Sequence, residues 1–214
     1  MTDYLESNKF LSFNQGGFRS GYRTSDHIFI LKTLINKYFN KFKNKLYVCF
    51  VGFKSALDSL DRDALFYKIE KKGIGGNFLK LIKDMYSNTL FSCKFGDSYT
   101  DPFPATFGVK QGDSLIPTLF NLIVDSMESM FNTENNDYPV KLCNHTFNHL
   151  LYADDLVILT ESPTGLQNCI NSLSKYCEKW SLNINTKKTK VMILSRIEKE
   201  TRTGNISSFS FYTY

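Results

Sequence analysis

Two adjacent carboxylates, Asp154 and Asp155, are the residues of this chain best suited to chemistry. They stand between two apolar runs, residues 150–151 and 156–159. An acidic pair is common in exposed turns, but these runs predict buried strands that force both carboxylates into one small space. Like charges this close are unfavourable unless a cation neutralises them. Oxygen ligands favour a hard cation such as Mg²⁺, so the pair predicts divalent-metal chemistry on phosphates.

A glycine-containing loop precedes a predicted helix and is a second candidate site. Residues 108–114 read Gly-Val-Lys-Gln-Gly-Asp-Ser, and Pro117 is typical of the first turn of a helix. Glycine permits close approach of the backbone to a ligand, and a helix N-terminus can receive an anion. An ordinary loop with a capped helix explains the same residues, so both interpretations stay open.

Basic residues give a weaker indication of a nucleic-acid partner. The formal net charge is +5 and the pI about 8.8, which is compatible with such a partner but does not require one. Lysines are interleaved with phenylalanines at and after the end of the first long predicted helix: Lys37, Phe39, Lys41, Phe42, Lys43 and Lys45. This stretch is either an edge that follows a phosphate backbone or a solvated helix end.

Cysteine usage indicates reduced thiols in an intracellular protein. The five cysteines are scattered, without a C-x-x-C pair. Cys143, His145 and His149 are an alternative set of metal ligands, but we expect them to straddle a hairpin turn, and they lack a fourth soft ligand. No apolar run approaches the ~18–20 residues of a membrane span, and the N-terminus lacks the features of a secretory signal.

Hydrophobic periodicity predicts one α+β domain over residues 1–195, with a frayed remnant at 196–214. The predicted helices cover residues 24–40, 61–71, 77–86, 117–131 and 163–180. The predicted strands are a buried run at 46–53, a hairpin at 90–95 and 100–107 that turns at Gly96-Asp97, short strands at 140–143 and 147–160, and a strand at 190–194. This order places the Asp pair at a tight turn within the sheet.

Six motifs occur in one order along the chain, and together they carry a resemblance. They are Gln15-Gly16-Gly17-Phe18-Arg19, Phe-Val-Gly-Phe-Lys-Ser-Ala-Leu-Asp at 50–58, residues 108–113, Asn121-Leu122, Tyr152-Ala153-Asp154-Asp155, and Asn-Thr-Lys-Lys-Thr at 185–189. The series resembles the reverse transcriptase of non-LTR (LINE-type) retrotransposons over residues 14–195. The resemblance implies a polymerase palm, an antiparallel sheet packed on helices, with part of the fingers.

The resemblance also implies roles for individual residues. Asp154 and Asp155 would be the catalytic carboxylates that bind two Mg²⁺ ions about 3.5–4 Å apart. Lys188 would donate a proton to the pyrophosphate leaving group, although a surface lysine in a basic run is the alternative. The partners would be an RNA template, a DNA primer and deoxynucleoside triphosphates. The implied nucleotide contacts are Ser55 and Ala56 through their N–H groups, Leu57, Gln111 and Gly112, and the implied nucleic-acid contacts are Arg19, Lys41, Lys43 and Lys110.

Gly52 is the main departure from the family pattern, which has an aspartate at this position. The missing carboxylate would contact both metals, and Mg²⁺ tolerates a vacant ligand position poorly. Asp58 is too distant to replace it, because six extended residues span roughly 20 Å. Leu57 stands where the family has an aromatic residue, which predicts looser exclusion of ribonucleotides. Ile116 stands where the family often has serine, a lost helix cap worth about 1 kcal/mol.

The resemblance predicts a catalytically defective partial copy. The earlier finger segments, the thumb and the endonuclease expected of the family are not recognisable, which predicts a fragment. A non-enzymatic nucleic-acid-binding remnant and a relic without a molecular role are the alternatives. A palm-type nucleotide cyclase also pairs carboxylates on a similar sheet, but Gln111-Gly112 and Lys188-Thr189 argue against it.

Overall fold

The computed structural model describes residues 1–40, 45–109, 112–131 and 140–195. The helices in these ranges are α1 (Thr2–Ser7), α2 (Thr24–Asn40), α3 (Arg62–Lys71), α4 (Gly76–Ser87), α5 (Ile116–Asp125), α6 (Met127–Phe131) and α7 (Pro163–Lys179). The strands are β1 (Leu46–Val51), β2 (Leu90–Phe91), β3 (Lys94–Phe95), β4 (Ser98–Tyr99), β5 (Phe103–Pro104), β6 (Val140–Leu142), β7 (His145–Phe147), β8 (His149–Tyr152), β9 (Asp155–Thr160) and β10 (Lys190–Leu194). The proposed remnant at 196–214 lies outside the described residues.

A four-stranded antiparallel sheet in the order β10-β1-β9-β8 forms the centre of the molecule. Tyr47, Cys49 and Val51 of β1 belong to a core cluster with residues of α3, α4, α5 and α7. Leu46 and Val48 face the other way and belong to a second cluster with residues of α2. Because β1 is covered on both faces, its sequence is an unbroken apolar run rather than an alternating one. The α+β class, with an antiparallel sheet packed on helices, is confirmed.

Local capping explains where the predicted helices begin. The carboxylate of Asp61 accepts the N–H groups of Asp63 at 2.8 Å and Ala64 at 3.2 Å, so α3 starts one residue after it. Ser162 caps α7 in the same way, by accepting the N–H of Gly165 at 2.9 Å. The prediction for α2 has the same limits as the helix in the structure.

The helix that follows the glycine-containing loop is broken at Ser126, whereas the sequence predicted a continuous helix to residue 131. The carbonyl of Ile123 accepts hydrogen bonds from the ammonium of buried Lys68 and from the hydroxyl of Tyr176. In a continuous helix this carbonyl would accept the N–H of Met127. Side chains from α3 and α7 have therefore taken over the acceptor at the point where the helix breaks.

The predicted hairpin at residues 90–107 turns at Gly96-Asp97 as expected, but its strands are shorter than predicted. It consists of two antiparallel pairs of two residues each, β2 with β5 and β3 with β4. Every residue of these four strands is exposed. Without a buried face, side-chain packing does not extend the ladder of hydrogen bonds, which explains the short strands.

The two histidines of the alternative metal site occupy separate environments. His149 is 2% exposed, packs on the ring of Phe131 at 4.8 Å and has its Nδ1 2.7 Å from the amide oxygen of Asn148. His145 is exposed and stacks against Phe13.

Among the described residues, no helix combines the length and apolar character that crossing a bilayer requires.

Acid should destabilise the fold through His149. Burial lowers the pKa of His149 to about 3 from an unfolded value near 6.5. The unfolded chain therefore binds a proton that the folded chain does not, so stability is full above pH 6.5 and falls as the pH decreases towards 3. We expect a loss of about 1 kcal/mol between pH 7 and pH 5.5 in urea unfolding. His149→Gln should flatten this slope and His145→Gln should not; equal slopes in both variants would contradict the assignment.

Candidate active site

The Asp pair lies at a two-residue turn between β8 and β9. Tyr152 pairs with Asp155 across the hairpin, so Ala153 and Asp154 form the loop. Ala153 has a φ of 55°, as the first position of a primed hairpin turn requires. Asp154 and Asp155 are both exposed. The sheet therefore presents two carboxylates to solvent at one end of two neighbouring strands, and the predicted tight turn is confirmed.

Gly52 lies beside this turn, directly after β1. The register pairs Val51 with Leu156 on one side of β1 and Phe50 with Lys190 on the other. One more residue along the β1–β9 register places Gly52 opposite Asp155. On its other side Gly52 lies against Lys188. A β carbon added to Gly52 would lie 3.0 Å from Cβ and 3.7 Å from Cδ of Lys188. The stem of this lysine thus packs over the position where a side chain at residue 52 would begin.

The donor set at this end of the sheet fits a divalent cation only in part. Asp154 and Asp155 supply carboxylate oxygens, which hard cations prefer. Within the described residues, no three His, Cys, Asp or Glu side chains come together as metal ligands would. An aspartate at residue 52 would lie opposite Asp155 and would add a third carboxylate.

Lys188 is held by the loop that connects α7 to β10. The N–H of Lys188 donates to the carbonyl of Asn185 at 3.0 Å and lies 3.2 Å from its side-chain oxygen. Asn185 in turn donates its N–H to the carbonyl of Gly52 at 2.7 Å, and Thr189 accepts the N–H of Gly52 at 3.3 Å. The Asn-Thr-Lys-Lys-Thr motif is therefore bonded to the end of β1, next to the carboxylates.

The segment after Gly52 contains the predicted triphosphate contacts. Ser55 has a φ of 49°, and its carbonyl accepts the N–H groups of Asp58 at 3.0 Å and Ser59 at 2.9 Å. In the described part of the chain, neither Ser55 nor Ala56 donates its N–H to a backbone carbonyl; Ser55 is exposed and Ala56 is buried. Leu57 accepts the N–H of Val109 at 3.1 Å, which joins this segment to the glycine-containing loop. Asp58 is exposed in this turn, beyond the end of β1.

Arg62 holds the segment that leads into the glycine-containing loop, a role that the sequence did not indicate. Its side chain is buried, and its guanidinium donates to four carbonyls. These belong to Gly108 at 2.8 Å, Tyr86 at 2.8 Å, Ala105 at 2.6 Å and Phe107 at 3.3 Å. Gly108 itself has a φ of +74°, and a β carbon there would lie 2.5 Å from the carbonyl oxygen of Asp58. An arginine between two aspartates carries no local signal of such a contact.

The C-terminal end of the glycine-containing loop leads into α5. Lys110 and Gln111 lie outside the described residues, and Gly112 is exposed with a φ of +92°. The carboxylate of Asp113 accepts the N–H of Leu115 at 2.9 Å. Asp113 therefore holds the residue before α5, while α5 itself begins at Ile116 without a side-chain cap.

The predicted nucleic-acid contacts are only partly described. Lys41 and Lys43, like Lys110, lie outside the described residues. The side chain of Arg19 is 6% exposed and forms an ion pair with Glu6 at 2.7 Å, while its Nη1 donates to the carbonyls of Ser12 and Gln15. Arg19 thus has a structural role near the N-terminus, and its contact with nucleic acid stays a prediction.

The Gln15-Gly16-Gly17 segment lies against the turn formed by Ala153 and Asp154. The N–H of Gly16 donates to the carbonyl of Leu151 at 2.9 Å. A β carbon on Gly17 would lie 2.0 Å from the nitrogen and 2.7 Å from Cα of Ala153. The two backbones are therefore as close as glycine permits. From the sequence, this motif was recognisable only as part of a resemblance, which assigned no role to Gln15 or Gly17.

Gly17→Ala should displace the turn formed by Ala153 and Asp154 or unfold the domain. Its methyl group overlaps backbone atoms, which cannot rotate away as a side chain would. We expect a loss of about 3 kcal/mol or more in the free energy of unfolding, measured by urea titration. Gly75→Ala is the matched control, because an added β carbon there meets no atom within 4 Å. Equal stability of the two variants would show that the close approach is wrong.

Comparison with known protein families gives a match along nearly the whole chain. Residues 1–208 match the family described as reverse transcriptase (RNA-dependent DNA polymerase). The chain is 27% identical to a probable RNA-directed DNA polymerase from transposon BS of Drosophila melanogaster, over 88% of this chain and 21% of the relative. It is 26% identical to the RNA-directed DNA polymerase from mobile element jockey of the same organism, over 81% of this chain and 19% of that protein.

A third relative is the Pol polyprotein of the type-2 retrotransposable element R2DM of Drosophila melanogaster, 28% identical over 72% of this chain and 14% of the relative. The chain thus spans about a fifth or less of the length of these relatives. Apo telomerase from Candida tropicalis has a similar fold, with a TM-score of 0.67 and 18% identity over 94% of this chain and 39% of the telomerase. Telomerase from Candida albicans, solved with a fragment of telomeric RNA, has a TM-score of 0.65 and 15% identity over 98% of this chain and 34% of that protein.

Proposed function

The chain belongs to the reverse transcriptase (RNA-dependent DNA polymerase) family, and we propose that it is the palm and part of the fingers of a LINE-type RNA-directed DNA polymerase. The relatives are retrotransposon polymerases, which confirms the resemblance drawn from the motifs. We further propose that this copy is impaired in nucleotidyl transfer, because Gly52 occupies the position of a metal-binding aspartate. The polymerase domain would cover residues 1–195.

One observation carries this proposal: Gly52 directly follows β1, beside the strand that begins at Asp155 and against the side chain of Lys188. An aspartate at residue 52 would bring a third carboxylate to the two at the turn. Three carboxylates at one end of a sheet repel one another strongly in the absence of a cation, which suits a site built to bind one. With glycine, two carboxylates and a neighbouring lysine remain.

The other residues take proposed roles that follow from where they lie. Asp154 and Asp155 are the catalytic carboxylates, and Lys188, on the far side of Gly52, is the candidate proton donor to pyrophosphate. The N–H groups of Ser55 and Ala56 would bind the triphosphate, and Leu57, Gln111 and Gly112 would line the nucleotide. Lys41, Lys43 and Lys110 are the candidate contacts to the nucleic-acid backbone.

The cofactors and partners follow from family membership. The reverse transcriptase family generally uses divalent metal ions. We propose Mg²⁺ as the ion and an RNA template, a DNA primer and deoxynucleoside triphosphates as the partners. Because the donor set lacks the oxygen of residue 52, Mg²⁺ should bind weakly to the chain as it stands.

RNA-templated primer extension by the Gly52→Asp variant tests this function. Purified chain is supplied with a DNA primer annealed to an RNA template, deoxynucleoside triphosphates and Mg²⁺. Adding Asp154→Ala to the same variant controls for a contaminating polymerase. Extension that depends on both aspartates supports the proposal, and its absence from Gly52→Asp would contradict our explanation of the defect.

Gly52 also supports a second candidate function, a protein that binds nucleic acid without catalysis. Such a protein would bind RNA through its lysines, with an affinity that decreases as the salt concentration increases. Fluorescence anisotropy with labelled RNA would then give the same affinity for the parent chain and for Asp154→Ala. Absence of binding at low salt would count against this function.

A further inference from the structure

Gln15 connects the N-terminal segment to the turn that carries Asp154. The residue is 2% exposed. Its side-chain oxygen accepts the N–H of Gly17 at 2.6 Å and the N–H of Ala153 at 3.3 Å. Its side-chain nitrogen donates to the carbonyl of Ala153 in a longer contact of 3.5 Å. One amide group therefore reaches both main-chain polar groups of Ala153.

The backbone around Gln15 is bonded to the same hairpin. Asn14 accepts the N–H of Leu151 at 2.8 Å, and Gly16 donates to the carbonyl of Leu151 at 2.9 Å, so Gln15 and Leu151 form a parallel bridge. These bonds place the segment along the outer edge of β8. Because Gly17 has no β carbon, the chain then passes close beneath Ala153.

Asn121 of α5 holds the segment from the other side. It is 1% exposed, and its amide nitrogen donates to the carbonyl of Gly17 at 2.9 Å. Its side-chain oxygen is buried and has no hydrogen-bond partner in the described part of the chain. Rotation of the amide would turn this oxygen towards the carbonyl oxygen of Gly17, which is unfavourable. The contact with Gly17 therefore fixes the orientation of the amide.

We propose that Gln15 is a positioning residue that fixes the main chain of the catalytic turn, with Asn121 supporting Gly17 behind it. The value of this role for polymerisation rests on the proposed function. Ala153 has a φ of 55°, a conformation that a residue with a β carbon adopts only under strain. Hydrogen bonds to both of its polar groups hold it there, and Asp154 is the next residue along the chain. A side chain at residue 15 that cannot accept these N–H groups leaves the turn free to relax.

Hydrogen exchange at Ala153 tests this proposal without requiring catalysis. The chain has only four alanines, at positions 56, 64, 105 and 153, so ¹⁵N-alanine labelling gives one amide signal for each. Gln15→Met keeps the length of the side chain but removes its hydrogen bonds. We expect exchange at Ala153 to become about tenfold faster, the factor that one ordinary hydrogen bond provides. Exchange at Ala64, in the middle of the first turn of α3, should change by less than about twofold.

Three further variants separate positioning from general stability. Gln15→Glu keeps an oxygen that can accept both N–H groups, so it should retain most of the protection at Ala153. Gln15→Asn is one methylene shorter and should lose it, and this variant replaces Gln15→Met if the latter does not fold. Gln167→Met is the matched control, because the amide of Gln167 bonds to Asn171 on α7. The control should leave all four signals unchanged.

Two results would overturn the proposal. One is unchanged exchange at Ala153 in Gln15→Met, which would show that the hydrogen bonds do not hold the turn. The other is an equal increase at all four alanines, which would show general destabilisation. In the Gly52→Asp variant, Gln15→Met should also lower kcat about tenfold with little change in the KM for nucleotide, and an unchanged kcat would overturn the role in positioning. If Gly52→Asp itself shows no extension, the proposed function fails while exchange at Ala153 still decides the role of Gln15.

Discussion

Gly52→Asp is expected to raise RNA-templated primer extension by at least about 10³-fold over the parent chain. The register of β1 places the new carboxylate beside Asp155, where it supplies the charge and the oxygen that the parent site lacks. The gain should require Mg²⁺ and should vanish when Asp154 is replaced by alanine. Extension is measured as labelled primer elongated per minute at saturating nucleotide.

Two matched variants show which property of the new side chain matters. Gly52→Asn has the shape of aspartate without its charge and should stay near the activity of the parent. Gly52→Ala introduces only the β carbon, which lies 3.0 Å from Cβ of Lys188. The loop that carries Lys188 must then move by a few tenths of an ångström, at an expected cost of about 1 kcal/mol in urea unfolding. Equal extension by the Asn and Asp variants would contradict the requirement for a carboxylate.

Arg62→Met is expected to lower the free energy of unfolding by at least about 3 kcal/mol. Methionine fills part of the volume of the arginine but leaves four carbonyls without their donor, those of Gly108, Tyr86, Ala105 and Phe107. A buried acceptor without a partner costs about 1–3 kcal/mol. Urea unfolding followed by circular dichroism measures the change.

Two further variants separate the geometry of the guanidinium group from its charge. Arg62→Lys keeps the charge but concentrates its donors at one point, so it should recover only part of the loss. Arg23→Met removes an exposed arginine and should change stability by less than about 0.5 kcal/mol. A loss below about 1 kcal/mol for Arg62→Met would contradict the role of the guanidinium in holding the loop.

Elements with local signals were predictable from the sequence. Asp61 marks the start of α3 because its carboxylate caps the helix four residues before the buried Leu65, and Ser162 with Pro163 marks the start of α7. The apolar run of β1 indicated a strand buried on both faces. The hairpin turn at the Asp pair was predicted from the two apolar runs that flank a short polar segment.

Contacts between distant segments were not predictable. Gln15 and Ala153 are 138 residues apart, and Arg62 and Gly108 are 46 apart, so neither contact leaves a pattern within a sequence window. The break at Ser126 depends on Lys68 and Tyr176, which come from two other helices. A polar side chain can hydrogen-bond to the backbone of any residue type. Such a contact therefore leaves no pattern in the sequence.

The sequence identified Gly52 only by comparison with a family pattern. The structure adds the physical reason for its importance, because β1 lies between the strand that begins at Asp155 and the strand that follows Lys188. It also shows that Lys188 packs over the place of the absent side chain. Arg19, in contrast, belonged to a motif by resemblance, and its ion pair with Glu6 assigns it a structural role.

Binding of Mn²⁺, followed by electron paramagnetic resonance, tests most directly the claim that Gly52 leaves the metal site incomplete. The parent chain, Gly52→Asp and each of these with Asp154→Ala are titrated under the same conditions. We expect Gly52→Asp to bind Mn²⁺ at least about tenfold more tightly than the parent, and Asp154→Ala to abolish that gain. The contradicting result is that the parent chain binds Mn²⁺ as tightly as Gly52→Asp does, with that binding abolished by Asp154→Ala. This result would show that the site is complete without a side chain at residue 52 and that the claim is wrong.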